Sequence, residues 1–177
     1  MWLVTDPARI ADPSLAARRL PPGSGVVYRA FGAPDAVHTG RALRRIADQR
    51  RLILLVGADE ALARVIGADG LHLPERLAAR APLILSRHPR WIVTAAVHSS
   101  LGLRRAEHLG VDACVVAPVF LSNSPSAGRA IGATRLALWI GPTSMPVIAL
   151  GGVNNDTAPG LLRTGAYAVA AVEALSG

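Results

Sequence analysis

The run Gly25-Val-Val-Tyr-Arg29 ends a strand-like apolar segment on a guanidinium. An arginine so placed either binds an anion or pairs with a carboxylate. His98 follows the apolar run Trp91–Val97, and His72 lies within Gly70–Leu73. An imidazole near a strand end can move a proton or simply make a structural hydrogen bond, and both roles are open here. Asp59 and Glu75 come after neighbouring runs and form a candidate hard-oxygen pair for magnesium. Asp59, just ahead of Glu60–Ile66, also reads as a helix N-cap. The longest polar stretch, Phe120 to Gly132, carries Ser122, Ser124 and Arg129, whose hydroxyls and guanidinium suit a phosphate. Gly151-Gly152 follows Pro146–Leu150; glycines there let backbone amides approach a phosphate, and equally serve a tight turn. Cys114, inside the apolar run Ala113–Ala117, reads as an inert small hydrophobe.

Composition narrows the chemistry further. All 19 basic residues are arginine, so Schiff-base formation and any ammonium-based phosphate clamp are excluded. One cysteine rules out an internal disulfide and a cysteine metal cluster. The net charge of +7 is spread over several amphipathic segments without interleaved aromatics, which argues for solvated helix faces and against nucleic acid. No apolar run approaches a membrane span, and Met1 to Asp6 lacks the basic start of a signal peptide. A soluble, cytoplasmic protein is expected.

The elements that must position these residues alternate. Eight short runs rich in Val, Ile and Leu read as strands: 2–5, 25–28, 52–56, 70–73, 91–97, 113–117, 146–150 and 166–171. Segments of helical period lie between them, among them 36–49, 60–66, 101–109 and 157–164. Strands apolar on both faces and alternating with helices indicate a parallel sheet covered by helices. Residues 1–177 are expected to form one domain, a compact α/β fold of the (β/α)8 TIM-barrel type with some helices shortened. Pro21-Pro22-Gly23 and Leu77–Pro82 are the expected trimming points. Ser99 or Ser100, and Asn155 or Asp156, are expected N-caps, with Gly67, Gly110 and Gly165 in C-cap turns. The echoes Gly67-Ala-Asp-Gly-Leu71, Gly110-Val-Asp-Ala-Cys114 and Gly165-Ala-Tyr-Ala-Val169 mark turns from helix to strand, away from the functional face.

Five segments, Trp2-Leu-Val-Thr-Asp6, Gly67-Ala-Asp-Gly-Leu-His-Leu73, Val97-His-Ser99, Ala117-Pro-Val-Phe120 and Pro146-Val-Ile-Ala-Leu-Gly-Gly-Val153, run in order over nearly the whole chain. They resemble the motifs of thiamin phosphate synthases and the related thiazole tautomerases. The resemblance implies a (β/α)8 barrel and an enzyme that joins a pyrimidine pyrophosphate to a thiazole phosphate, with magnesium, through a carbocation-like pyrimidine. Arg29 falls on the family's pyrophosphate arginine, Ser122 and Ser124 on its loop threonines, and Gly151-Gly152 on its thiazole-phosphate turn. Other positions depart. The family's glutamine and lysine around that arginine become Val27 and Phe31, and its magnesium-binding Asn-Asp pair becomes Gly57-Ala58. The second magnesium aspartate falls on Leu77, the strand-five serine on Ala96, the loop lysine on Pro125 and the last phosphate serine on Glu173. The tautomerase histidine falls on Pro118.

Three functions follow as expectations: a thiamin-pathway transferase with a rebuilt anion site, a non-catalytic barrel for a thiazole-phosphate-like ligand, or another small-phosphate reaction on the same scaffold. The expected partner is a small phosphorylated heterocycle, with no nucleic acid or membrane, and a homo-oligomer left open. Magnesium belongs to the first reading only.

Overall fold

A computed structural model describes residues 1–10, 12–122 and 128–172. Eight strands, β1 (Trp2–Val4), β2 (Gly25–Tyr28), β3 (Ile53–Gly57), β4 (Gly70–Leu73), β5 (Ile92–Val97), β6 (Ala113–Val116), β7 (Val147–Leu150) and β8 (Ala168–Ala171), pair in chain order. Every pairing is parallel, and β8 returns to β1, with Trp2 opposite both Gly25 and Ala170, to close the barrel. The (β/α)8 expectation is met.

Side-chain alternation along the strands separates two cores. Trp2, Val4, Val27, Leu55, Val115, Ile148 and Ala170 pack together inside the barrel. Leu3, Val26, Leu54, Val56, Leu71, Val93 and Val116 join the helices outside. Each such fully buried aliphatic chain contributes roughly 1.5–3 kcal/mol over exposure. Inside the barrel Trp2 packs with Ala113, Ile53, Ile92 and Ala168, and a Cβ at Gly25 would lie only 2.3 Å from its ring.

Helices α1 (Pro13–Arg19), α2 (Ala36–Arg50), α3 (Glu60–Ile66), α4 (Ala81–Arg87), α5 (Ser100–His108) and α6 (Ala133–Ile140) cover the strands. Asp59 Oδ1 accepts from Leu62 N (2.8 Å) and Ser99 Oγ from Gly102 N (3.0 Å), the two expected caps. Gly67, Gly110 and Gly165 all have positive φ. Among the described residues no helix is long and apolar enough to cross a membrane.

Two local expectations need correction. The helix over 157–164 is only a 3-10 turn, Ala158–Leu161, in which Gly160 carries a high entropic cost for a longer helix. Its cap is neither Asn155 nor Asp156 but Thr157, which makes no side-chain cap bond; Asn154 Oδ1 instead accepts from Asp156 N and Thr157 N at 3.0 Å each in the turn just before it. Leu77–Pro82 is not a trimmed connection either. A 3-10 turn, Glu75–Arg80, runs directly into α4, with Pro82 in the first turn where its missing N–H costs nothing.

Two of the three echoed turns, at Asp69 and Asp112, share one device. Asp69 N donates to Leu54 O (2.8 Å) while its Oδ2 accepts from Leu54 N (2.7 Å). Asp112 does the same to Val93, at 2.8 and 2.7 Å. Each aspartate thus acts as one more strand residue beside the preceding strand. Asp69 Oδ2 also accepts from Arg44 Nη1 (2.9 Å). Removing either carboxylate strands a buried amide, at about 1–3 kcal/mol. Asp69→Ala, which also unpairs part of Arg44, is expected to lose more stability in urea unfolding than Asp112→Ala. Equal wild-type stability in both variants would contradict this role.

Candidate functional site

Two adjoining cavities open over the carboxyl ends of the strands. The larger, about 740 Å³, has Val4, His72, Ala96, Val115 and Leu150 in its wall, with Arg9, Arg29, Arg76 and Arg80 around them. The smaller, about 370 Å³, lies over β7 and β8 between Gly151–Asn154 and Ala170–Val172. Arg9, Ser122, Leu150, Gly151 and Val172 belong to both walls.

Arg29 is fixed from below. Its backbone N donates to Thr5 Oγ1 (2.9 Å), its Nε to Thr5 O (2.7 Å) and its Nη2 to Asp6 Oδ2 (3.2 Å). Phe31 stacks against the guanidinium, 5.3 Å from carbon to ring centre. Both roles read from the sequence are therefore compatible: Asp6 takes one edge of a group that also faces the cavity. Burial pulls the Arg29 pKa down, Asp6 opposes that, and Arg9 adds to it as a like charge.

Arg9 had no signal as a strand-end residue, because Asp6 folds the chain back on itself. Asp6 O accepts from Arg9 N (2.9 Å) and Ile10 N (2.8 Å), and Asp6 Oδ1 from Ala8 N (3.0 Å). The buried Ile10 then anchors the turn, and Arg9 comes over the mouth. Arg76 and Arg80 were missed for a related reason: they ride on the 3-10 turn where a trimmed loop was expected.

His98 stands at the mouth with Nδ1 donating to Ala117 O (2.6 Å), which leaves Nε2 as the acceptor of the neutral ring. His72 points into the barrel, where its Nδ1 bonds Thr94 Oγ1 (2.9 Å). Burial first, and the charge of Arg29 second, hold the His72 pKa down to about 4 from its ordinary 6.5. The ring is neutral at pH 7. Because the unfolded chain binds this proton more readily, the stabilisation is complete above pH 6.5 and is lost as pH falls towards 4. We expect up to about 3 kcal/mol to disappear across that window, and a shallower decline in His72→Gln. Parallel wild-type and variant profiles in pH-resolved unfolding would contradict it.

Ser122 lines both cavities, while Ser124 and Glu173 lie outside the described residues. Arg129 is exposed and contributes to neither wall. The sixth loop, residues 117–132 between β6 and α6, folds its end back on its start through Ile131 N to Pro118 O (3.1 Å) and Gly132 N to Val119 O (2.9 Å). Gly151 and Gly152 both have positive φ, and the sixth loop lies directly on them. A Cβ on Gly152 would sit 2.2 Å from Leu121 O, and one on Gly151 2.8 Å from Pro118 Cα. Cys114 is buried, donates to Met145 Sδ (3.1 Å), and has its thiol pushed up to about 12 by burial, Glu107 and Glu75, so it remains protonated.

The donor set does not fit a magnesium ion. Magnesium requires hard oxygens in near-octahedral array, and Gly57-Ala58 offers no side-chain oxygen where β3 ends. Asp59 is engaged as a cap, and Glu75 Oε2 accepts from His98 N (3.0 Å). Asp6 is held by Arg29, and Glu60 by His88 at 3.0 Å. Among the described residues no three His, Cys, Asp or Glu gather in a metal-binding group.

A closed barrel of eight parallel strands, with an arginine-lined cavity over their carboxyl ends, defines a (β/α)8 barrel whose candidate site lies at the face where such barrels carry theirs. The thiamine monophosphate synthase family model (TMP-TENI) matches residues 2–175, and the chain belongs to that family. The thiamine-phosphate synthase of Alcanivorax borkumensis is 32% identical, covering 100% of this chain and 85% of that protein. That of Methylobacillus flagellatus is 33% identical over 97% of this chain and 82% of its own. In fold, the chain is similar to the thiamine phosphate pyrophosphorylase from Pyrococcus furiosus, with a TM-score of 0.84, 24% identity, and coverage of 99% and 87%.

Proposed function

We propose that this barrel couples a pyrimidine pyrophosphate to a thiazole phosphate. The observation that carries the reading is the pair of adjoining cavities with a shared wall, each within the size range of small-ligand sites. The arginine-lined cavity takes the pyrophosphate ester, and the Gly151–Asn154 cavity takes the thiazole phosphate. Substrates held side by side react as an intramolecular pair. As the carbon–oxygen bond breaks, pyrophosphate leaves with the electron pair, and the thiazole supplies the pair that forms the new bond to the same carbon. Arg29 stabilises charge on the departing group, and Ser122, with Ser124, supplies hydroxyl donors from the sixth loop. Such charged substrates suit a cytoplasmic protein, and this barrel acts as one domain.

The test is formation of thiamin phosphate by the purified chain from both substrates, with an authentic synthase alongside. Product above a no-protein control supports coupling; none, while the authentic enzyme works, refutes it. A second reading, a ligand-binding barrel without turnover, is favoured by the apolar residues Ala58, Leu77 and Ala96 at positions where the resemblance implies polar ligands. It expects binding of the thiazole phosphate and no product.

A further inference from the structure

The larger cavity brings together guanidiniums from three separate loops: Arg9 after β1, Arg29 after β2, and Arg76 and Arg80 after β4. Its acidic lining residues are Asp59 and Glu60. Asp59 accepts from the α3 backbone, and Glu60 is bonded to His88, with Arg80 3.8 Å away. The carboxylates that would hold a divalent cation are thus occupied, while four arginines line the same space. Resting on the reading of this cavity as the pyrophosphate end, we propose that the protein binds the diphosphate group directly through Arg9, Arg29 and Arg76, without a bridging magnesium ion.

Three observations support this. Side-chain oxygen donors are missing at the end of β3, where Gly57-Ala58 stands. Arg9 and Arg29 lie close enough for each charge to be felt, and a diphosphate relieves that repulsion on binding. Guanidinium is also the cation best shaped for phosphate, with two parallel N–H donors and a permanent charge. Arg9 additionally belongs to the wall shared with the smaller cavity. It is therefore placed to touch the phosphates of both ligands.

Calorimetric titration of the full chain with inorganic pyrophosphate, in EDTA and then in excess magnesium, tests the proposal. Saturable binding in EDTA, no weaker than in magnesium, is expected, because magnesium masks the charge that the arginines read. Arg9→Gln is expected to weaken binding at least about tenfold, with partial recovery in Arg9→Lys. Arg104→Gln, on the exposed face of α5, is expected to leave binding unchanged. Melting curves report whether each variant is folded. Binding that appears only with magnesium, no binding in either buffer, or equal affinity in folded Arg9→Gln overturns the proposal. Pyrophosphate binding in EDTA with no thiamin phosphate formed refutes the coupling reading alone. Turnover that requires magnesium for pyrophosphate binding does the reverse.

Discussion

Arg29→Ala is expected to lower the rate of thiamin phosphate formation by about a thousandfold, the scale of losing a cation that stabilises a leaving phosphate. The guanidinium is held by Thr5 O and Asp6 at its Nε and Nη2, so it is oriented before substrate arrives and loses little freedom on binding. Removing it also leaves Asp6 as an uncompensated carboxylate beside the cavity, which repels the diphosphate. The conservative Arg29→Lys keeps the charge but not the fork that spans Thr5 and Asp6, and should recover only part of the rate. The measurement is kcat and KM for both substrates together with a melting curve. A folded Arg29→Ala protein with wild-type kcat/KM would remove this residue from the mechanism.

Gly70→Ala is expected to cost more than about 4 kcal/mol, in the range that abolishes many folds. A Cβ there would lie 1.8 Å from Ile92 O and 2.7 Å from Ile92 N, inside the β4–β5 pairing rather than against a movable side chain. The backbone must part, and the ladder between those strands with it. Gly67→Ala makes the instructive comparison. Gly67 has φ +68, and a Cβ added there would meet nothing within 4 Å, so its replacement carries only the left-handed penalty of roughly 1–2 kcal/mol. Urea unfolding of the two variants should separate them clearly. If both lose the same stability, the close approach of Gly70 to Ile92 is not what fixes glycine there.

These two glycines show what the motif Gly67-Ala-Asp-Gly70 does. One ends a helix, one lets two strands meet, and Asp69 between them continues the sheet through its carboxylate. The echo at Gly110-Val-Asp-Ala113 repeats the turn and the carboxylate but has alanine in the last position. Only the spatial neighbour distinguishes the two, and no local pattern reveals it.

The same division runs through the whole protein. Barrel order was legible because it is written in local periodicity: short apolar runs separated by helical segments, with caps at Asp59 and Ser99. Arg29 was legible because a charge at the end of an apolar run is costly unless it has a partner. Arg9, Arg76 and Arg80 were not, since their approach to the mouth depends on the Asp6 turn and on the 3-10 turn after β4. Arg129 shows the converse: a cation in the most polar loop that the return of Ile131 and Gly132 onto Pro118 and Val119 leaves outside both cavities. The availability of Glu75 was likewise a tertiary matter. Sequence placed Asp59 and Glu75 after adjacent strands and read Asp59 as the α3 cap, but only packing engaged Glu75 on His98 N. Periodicity determines which residues stand at strand ends; long-range hydrogen bonds decide which of their charges remain available to a ligand.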